Sequence, residues 1–117
     1  MILIVDDEPW ILEEMLEALS LSGHDALAAC NVAEALAVLE SRDDVALVVT
    51  DIRMPVQSGW DLIRHFEGKS GPKFVVVTGH EIEGEEATRS DSNIAAWLKK
   101  PIAARELIQA IEQAVPT

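Results

Sequence analysis

Val48-Val49-Thr50-Asp51-Ile52-Arg53-Met54-Pro55 is the stretch that decides how this chain folds. An apolar, β-branched run ends abruptly in a carboxylate, and the Met-Pro pair that follows cannot continue a central strand. The run reads as a buried strand with Asp51 at its carboxyl end. That is where open α/β sheets hold their ligands.

The stretches on either side repeat the pattern. Ile2-Leu3-Ile4-Val5 is a continuous apolar run suited to a strand buried on both faces, and it ends in Asp6-Asp7-Glu8-Pro9. Pro9 suits the first turn of a helix, and acidic residues favour that positive end. Ile11, Leu12, Met15, Leu16 and Leu19 then recur at helical spacing until Gly23 stops the helix. Asp25 to Cys30 is a weak, alanine-rich second strand. Asn31 and Glu34 form a capping pair for a second helix, whose core face is Val32, Ala35, Leu36 and Leu39. Ser41 to Asp44 is a polar turn, and Val45 to Thr50 is the third strand.

Beyond Asp51, Ser58 caps a third helix with Leu62, Ile63 and Phe66 inward. Residues Gly68 to Pro72 form a loop. Phe74-Val75-Val76-Val77 is a fourth strand ending at Thr78-Gly79. The pattern then fails: Glu81 to Asn93 contains Gly84, four glutamates and little apolar periodicity, so a short or poorly anchored helix is expected there. Ile94 to Leu98 is a fifth strand before Lys99-Lys100-Pro101, and a last helix runs from about Ala103 to Val115 with Leu107, Ile108 and Ile111 inward. Strands alternate with helices throughout, which predicts a parallel sheet with helices on both faces.

The 117 residues suffice for one domain, and 49% of them are hydrophobic. With 4% aromatic residues the core must be mainly aliphatic. A net charge of -12 argues against direct nucleic-acid binding and for a cation or a basic partner. One cysteine, Cys30, excludes an intrachain disulfide and reads as a small core residue. No leader or membrane span is expected, so the compartment reads as cytosolic. The chain stops just after its last helix, and no output domain is expected on it.

Four strand ends carry polar groups: Asp6 with Asp7, Asp51, Thr78 and Lys100. In a parallel sheet they share one edge. Carboxylates gathered at ~5 Å repel by roughly 3 kcal/mol per pair at an effective dielectric of about 20. Such a cluster calls for cations. Lys100 is one, and oxygen-only ligands point to Mg²⁺ rather than zinc. A hard ion beside a carboxylate nucleophile suits phosphoryl transfer, with an acyl phosphate as the product. Thr78 can donate its hydroxyl to a phosphoryl oxygen, and Gly79 leaves room for the group to enter.

Val5-Asp6-Asp7-Glu8-Pro9, Asp51-Ile52-Arg53-Met54-Pro55 with Gly59, Thr78-Gly79 and Trp97-Leu98-Lys99-Lys100-Pro101, in this order, resemble the receiver domain of two-component response regulators over essentially the whole length. The resemblance implies one receiver domain over 1–117. Its fold would be a doubly wound (βα)5, flavodoxin-like or CheY-like sandwich, with five parallel strands in order 2-1-3-4-5. It implies that Asp51 is the phosphoacceptor for a sensor histidine kinase or histidine phosphotransfer protein. Asp7, Asp51 and the backbone carbonyl of Arg53 would bind Mg²⁺, and Asp6 would hold a metal-bound water. Thr78 and Lys100 would bind the phosphoryl oxygens, Thr78 and Trp97 would act as switch residues, and Lys100-Pro101 would be cis. The implied protein is a cytoplasmic signalling phosphoacceptor rather than an enzyme acting on other substrates. It would bind a downstream protein, or itself as a phosphorylation-dependent dimer, and neither nucleic acid nor membrane.

Plainer readings stand beside these. Acidic pairs at a helix start are often just favourable end charges. Trp97 can be read as a half-buried edge aromatic, Trp10 and Trp60 as packing or surface, His80 as an exposed loop histidine, and the glutamates at 81, 83, 85 and 86 as a solvated face. The chain departs from the family at Trp97, where Tyr or Phe is more usual, and at Ile102, where Phe is common. A phosphate shuttle or sink is the alternative function. An aspartyl-phosphate phosphatase is disfavoured because Arg53 stands where those enzymes present a second carboxylate.

Overall fold

Short runs of Val, Ile and Leu cannot hide their backbone polar groups alone, so they pair. In the computed structural model, which describes residues 1–52, 58–66, 71–79, 94–100 and 102–114, they form a five-stranded parallel sheet in the order β2-β1-β3-β4-β5. The strands are β1 (Ile2–Val5), β2 (Ala26–Ala29), β3 (Leu47–Asp51), β4 (Lys73–Thr78) and β5 (Ile94–Lys99). Between and after them come α1 (Pro9–Leu21), α2 (Val32–Ser41), α3 (Gly59–His65) and α4 (Ala104–Ala114). The expected strand order is present, and strands alternate with helices from β1 to β4 and from β5 to α4. Residues 80–93, where the sequence pattern fails, lie outside the described residues, as do Arg53, Met54, Pro55 and Pro101.

Alternation along each strand splits the core in two. Leu3, Val5, Val48, Phe74 and Val76 face a layer containing Val32 and Ala35 of α2 and Leu62 and Ile63 of α3. Ile2, Ile4, Val49, Val75 and Val77 face Leu12, Met15 and Leu19 of α1 and Leu107 and Ile111 of α4. The central strands β1 and β3 are buried along their whole length, which explains their unbroken hydrophobicity. The edge strands β2 and β5 keep half-exposed positions, which explains their alanines.

The helix ends follow local chemistry. Gly23 has φ 83°, and the N–H groups of Gly23 and His24 donate to the carbonyls of Ser20 and Leu19 at 3.1 and 2.9 Å. This is a Schellman stop, which favours glycine because its αL conformation carries no Cβ penalty. Ser58 and Asp61 close a reciprocal capping box at the start of α3. The Asn31–Glu34 pair differs from the expected box. Asn31 Oδ1 accepts from the Glu34 N–H at 2.8 Å, but the Glu34 carboxylate accepts from the N–H of Cys30, one residue further back, at 2.9 Å.

That shift also corrects the placement of Cys30, which is exposed rather than in the core. Strand β2 ends at buried Ala29, so the next side chain turns outward, where its thiol donates to Glu34. This hydrogen bond is the main cause that raises the Cys30 pKa, and it lowers that of Glu34.

Candidate phosphoryl-transfer site

Among the described residues, the buried polar or charged groups are Asp6, Thr50, Asp51 and Thr78. All lie at the carboxyl ends of β1, β3 and β4. Strand register brings them together: Val5 pairs with Thr50, Asp51 with Val77, and Thr78 with Lys99. One step further, the Lys100 N–H donates to the Thr78 carbonyl at 2.8 Å, carrying β5 past its last pair and aiming Lys100 over the sheet end.

The Lys100 ammonium joins two carboxylates. Its Nζ donates to Asp51 Oδ2 at 2.8 Å and to Asp6 Oδ2 at 3.2 Å. Asp6 and Asp51 expose 1% and 6% of their surface, so both contacts act where water screens weakly. Burial pulls the Lys100 pKa down, but the hydrogen bonds and charges of Asp51 and Asp6 together outweigh it, and the net shift is upward. The second Asp6 oxygen, Oδ1, accepts from the Glu8 N–H at 2.9 Å. Both Asp6 oxygens therefore have protein partners.

Asp6, Asp7 and Glu8 each offer an oxygen within 4.8 Å of the others. Lys100 links Asp6 of this group to Asp51, and counted together the four carboxylates and that ammonium carry a formal excess of three negative charges. An all-oxygen donor set with that excess fits a hard divalent cation such as Mg²⁺. Glu8 is a member of this cluster that sequence reasoning did not single out, although its place directly after two aspartates was a signal. Asp51 stands at the edge of the cluster, with Oδ2 on Lys100. The Arg53 carbonyl lies outside the described residues.

Thr78 is 6% exposed at the end of β4, and Gly79 follows it with its Cα side open toward the Lys100 stem. Trp97 lies three residues before Lys100 and is half-buried. Its ring meets that of buried Trp60 at 5.6 Å between centroids and 54° between planes. Trp60 is thus a packing residue, while Trp10, 59% exposed, is a surface one. A groove of about 460 Å³ between α1 and α4, lined by Trp10, Ile11, Met15, Ile102 and Leu107, opens beside Gly79 and Lys100.

The backbone around Asp51 is tightly placed. The Ile52 N–H donates to the Val77 carbonyl at 3.2 Å, and the Gly59 N–H donates to the Ile52 carbonyl at 2.8 Å. A Cβ on Gly59 would overlap the Asp51 carbonyl oxygen, so the start of α3 rests directly on the Asp51 peptide. The Thr50 hydroxyl donates to that same oxygen at 3.0 Å. The sequence reading placed Thr50 only as the last residue of the third strand and had no signal for this bond.

The model of the response regulator receiver domain matches residues 2–112. Among curated proteins, the transcriptional regulatory protein AruR of Pseudomonas aeruginosa is 32% identical over 92% of this chain and 46% of its own length. The transcriptional regulatory protein GlrR of Escherichia coli is 30% identical over 97% of this chain and 26% of its own. The chain thus spans less than half the length of either relative. Among solved structures, a response regulator receiver protein from Pseudomonas putida superposes with a TM-score of 0.85 at 30% identity, covering 96% of this chain and 94% of that one. A CheY-like receiver domain protein from Methanospirillum hungatei gives 0.84 at 30% identity, covering 96% and 90%.

Proposed function

Because the chain belongs to the response regulator receiver domain family, whose members are phosphoacceptor modules of two-component signalling, we propose that Asp51 is its phosphoacceptor and that Lys100, Thr78, Asp6 and Asp7 serve the transfer. The donor would be a phosphohistidine on a sensor histidine kinase or a histidine phosphotransfer protein. The observation that carries this reading is the Lys100 bridge, which ties together carboxylates 49 and 94 residues away in sequence. An ammonium between two carboxylates offsets their mutual repulsion. One shared between the ends of β1 and β3 also pre-positions a cation where phosphoryl oxygens would arrive.

Lys100 holds Asp51 Oδ2, and the carboxylate it orients would approach phosphorus in line. The new O–P bond forms on Asp51 as the N–P bond to the donor imidazole breaks, and the imidazole leaves with a proton. Lys100 and the Thr78 hydroxyl then bind the equatorial oxygens of the acyl phosphate. Bound Mg²⁺, held by Asp7, Asp51 and the Arg53 carbonyl with Asp6 behind a water, would neutralise the remaining phosphoryl charge. Both Asp6 oxygens already have protein partners, which suits the outer position.

Thr78 and Trp97 would carry the switch, biasing a two-state surface toward a downstream protein or a second copy of the chain. In this reading the receiver spans 1–117, acts in the cytoplasm and catalyses only its own phosphorylation and dephosphorylation. Among the described residues no helix is long and apolar enough to cross a membrane.

Incubation with phosphoramidate or acetyl phosphate and Mg²⁺ should add one phosphoryl group by intact mass, and Asp51→Asn should add none. Equal uptake by Asp51→Asn would remove the assignment.

A further inference from the structure

We infer that Thr50 is a positioning residue for phosphoryl transfer, setting the peptide plane of Asp51 through its hydroxyl. The inference rests on the proposed role of Asp51. Thr50 is fully buried on the same face of β3 as Val48 and Ile52, both packed in the apolar layer under α2 and α3. A strand at this point asks for a β-branched side chain, and Val already serves at positions 48 and 49. A hydroxyl here carries a desolvation cost that a hydrogen bond must offset. The bond it makes is to the carbonyl oxygen of Asp51, at 3.0 Å.

That oxygen sits at the last residue of β3. Pairing with β1 ends at Val5–Thr50, while pairing with β4 continues to Asp51–Val77. Successive residues direct their peptide groups to opposite neighbours, and Ile52 directs its N–H to β4. The Asp51 carbonyl shares that peptide plane and therefore points to the β1 side. Thr50 supplies a donor from within β3 at this position. With the Ile52 and Gly59 bonds it fixes the peptide on which the nucleophile stands.

The hydroxyl touches neither phosphodonor nor metal, so its effect falls on alignment alone. A displaced nucleophile lowers the rate of the bound complex without weakening what binds. The full chain, incubated with phosphoramidate over a range of donor and Mg²⁺ concentrations, tests this. Thr50→Val keeps the shape and removes the donor. Its maximal phosphorylation rate should fall roughly three- to tenfold, with half-saturating donor and Mg²⁺ unchanged. Thr50→Ser should return to within about twofold of the wild type. The Asp51 carbonyl carbon resonance should shift in Thr50→Val and not in Thr50→Ser. If Thr50→Val does not fold, Thr50→Ala against Thr50→Ser isolates the hydroxyl, and the same rate gap is expected.

Thr50→Val at the wild-type maximal rate overturns the inference, whatever its melting temperature. So does a rate loss that Thr50→Ser shares in full. Labelling of Asp51→Asn would instead overturn the parent assignment, so the two failures are distinguishable.

Discussion

Lys100 holds two buried carboxylates with one ammonium, and removing it leaves both without their shared cation. Its side chain is 23% exposed, so water moderates the loss, and Lys100→Met should cost about 2 kcal/mol near neutral pH. The sign with pH follows from the raised pKa. This contribution is fully present below the ordinary lysine value of about 10.4 and is lost as pH rises through the higher folded value. Urea unfolding should therefore show the gap between wild type and Lys100→Met constant from neutral pH to about 10 and closing above it. A gap unchanged in strong alkali would mean that the stem, not the charge, stabilises. Gly59→Ala works through sterics, because its Cβ would meet the Asp51 carbonyl oxygen and the Ile52 Cα, both backbone atoms that yield little. A loss of about 1–3 kcal/mol, seen in the same unfolding curves, is expected together with slower phosphorylation. Asp51, Thr78 and Lys100 were legible in sequence because a polar residue ending an apolar run stands out. The Thr50 bond was not, because the sequence leaves open which carbonyl a strand hydroxyl meets.

Helix α3 is where element-scale order reaches the site. It has seven residues, too few to be stable by its own hydrogen bonds, and its first residue abuts Asp51. Burial of Leu62 and Ile63 holds its middle, and the Ser58–Asp61 box holds its start, with Ser58 N–H to Asp61 Oδ2 at 2.9 Å. Ser58→Ala should cost about 1 kcal/mol by denaturant unfolding and also slow phosphorylation, since fraying there releases the Asp51 peptide. Asn31→Ala should cost a similar amount in stability, about 1 kcal/mol, but leave the phosphorylation rate unchanged, because α2 begins away from the nucleophile. Equal rate effects from both caps would contradict the coupling through α3. The Ser58 N–H and Arg64 hold the Asp61 pKa below its ordinary value, so the box supports the helix above the unfolded carboxylate pKa and weakens as pH falls through the folded one. Ser58 was readable as a cap from its place ahead of an apolar helical stripe, whereas its partner Asp61 emerged from the structure. Asn31–Glu34 has the same spacing, yet Glu34 turned to Cys30, an outcome set by side-chain competition that spacing does not encode.

At the scale of the whole molecule, the parallel sheet was legible from continuous apolar runs alternating with amphipathic ones. The order of its strands followed from the family resemblance, because burial patterns mark which strands are central without saying which pair. Charge is a second whole-molecule property. At -12 the chain repels itself, and any salt should stabilise it by screening. Mg²⁺ should do more, because Asp6, Asp7 and Glu8 concentrate that charge at one point beside Asp51. Binding to the folded state alone adds about 2.7 kcal/mol at a hundred times the dissociation constant. At matched ionic strength, melting curves should thus rise further in MgCl₂ than in NaCl. Asp7→Asn should erase that excess while keeping the NaCl response, since it removes a proposed ligand and only one of many charges. Should Asp7→Asn keep the full excess, the divalent ion would be acting on the acidic surface at large, and the carboxylates after β1 would be no more than favourable charges ahead of α1.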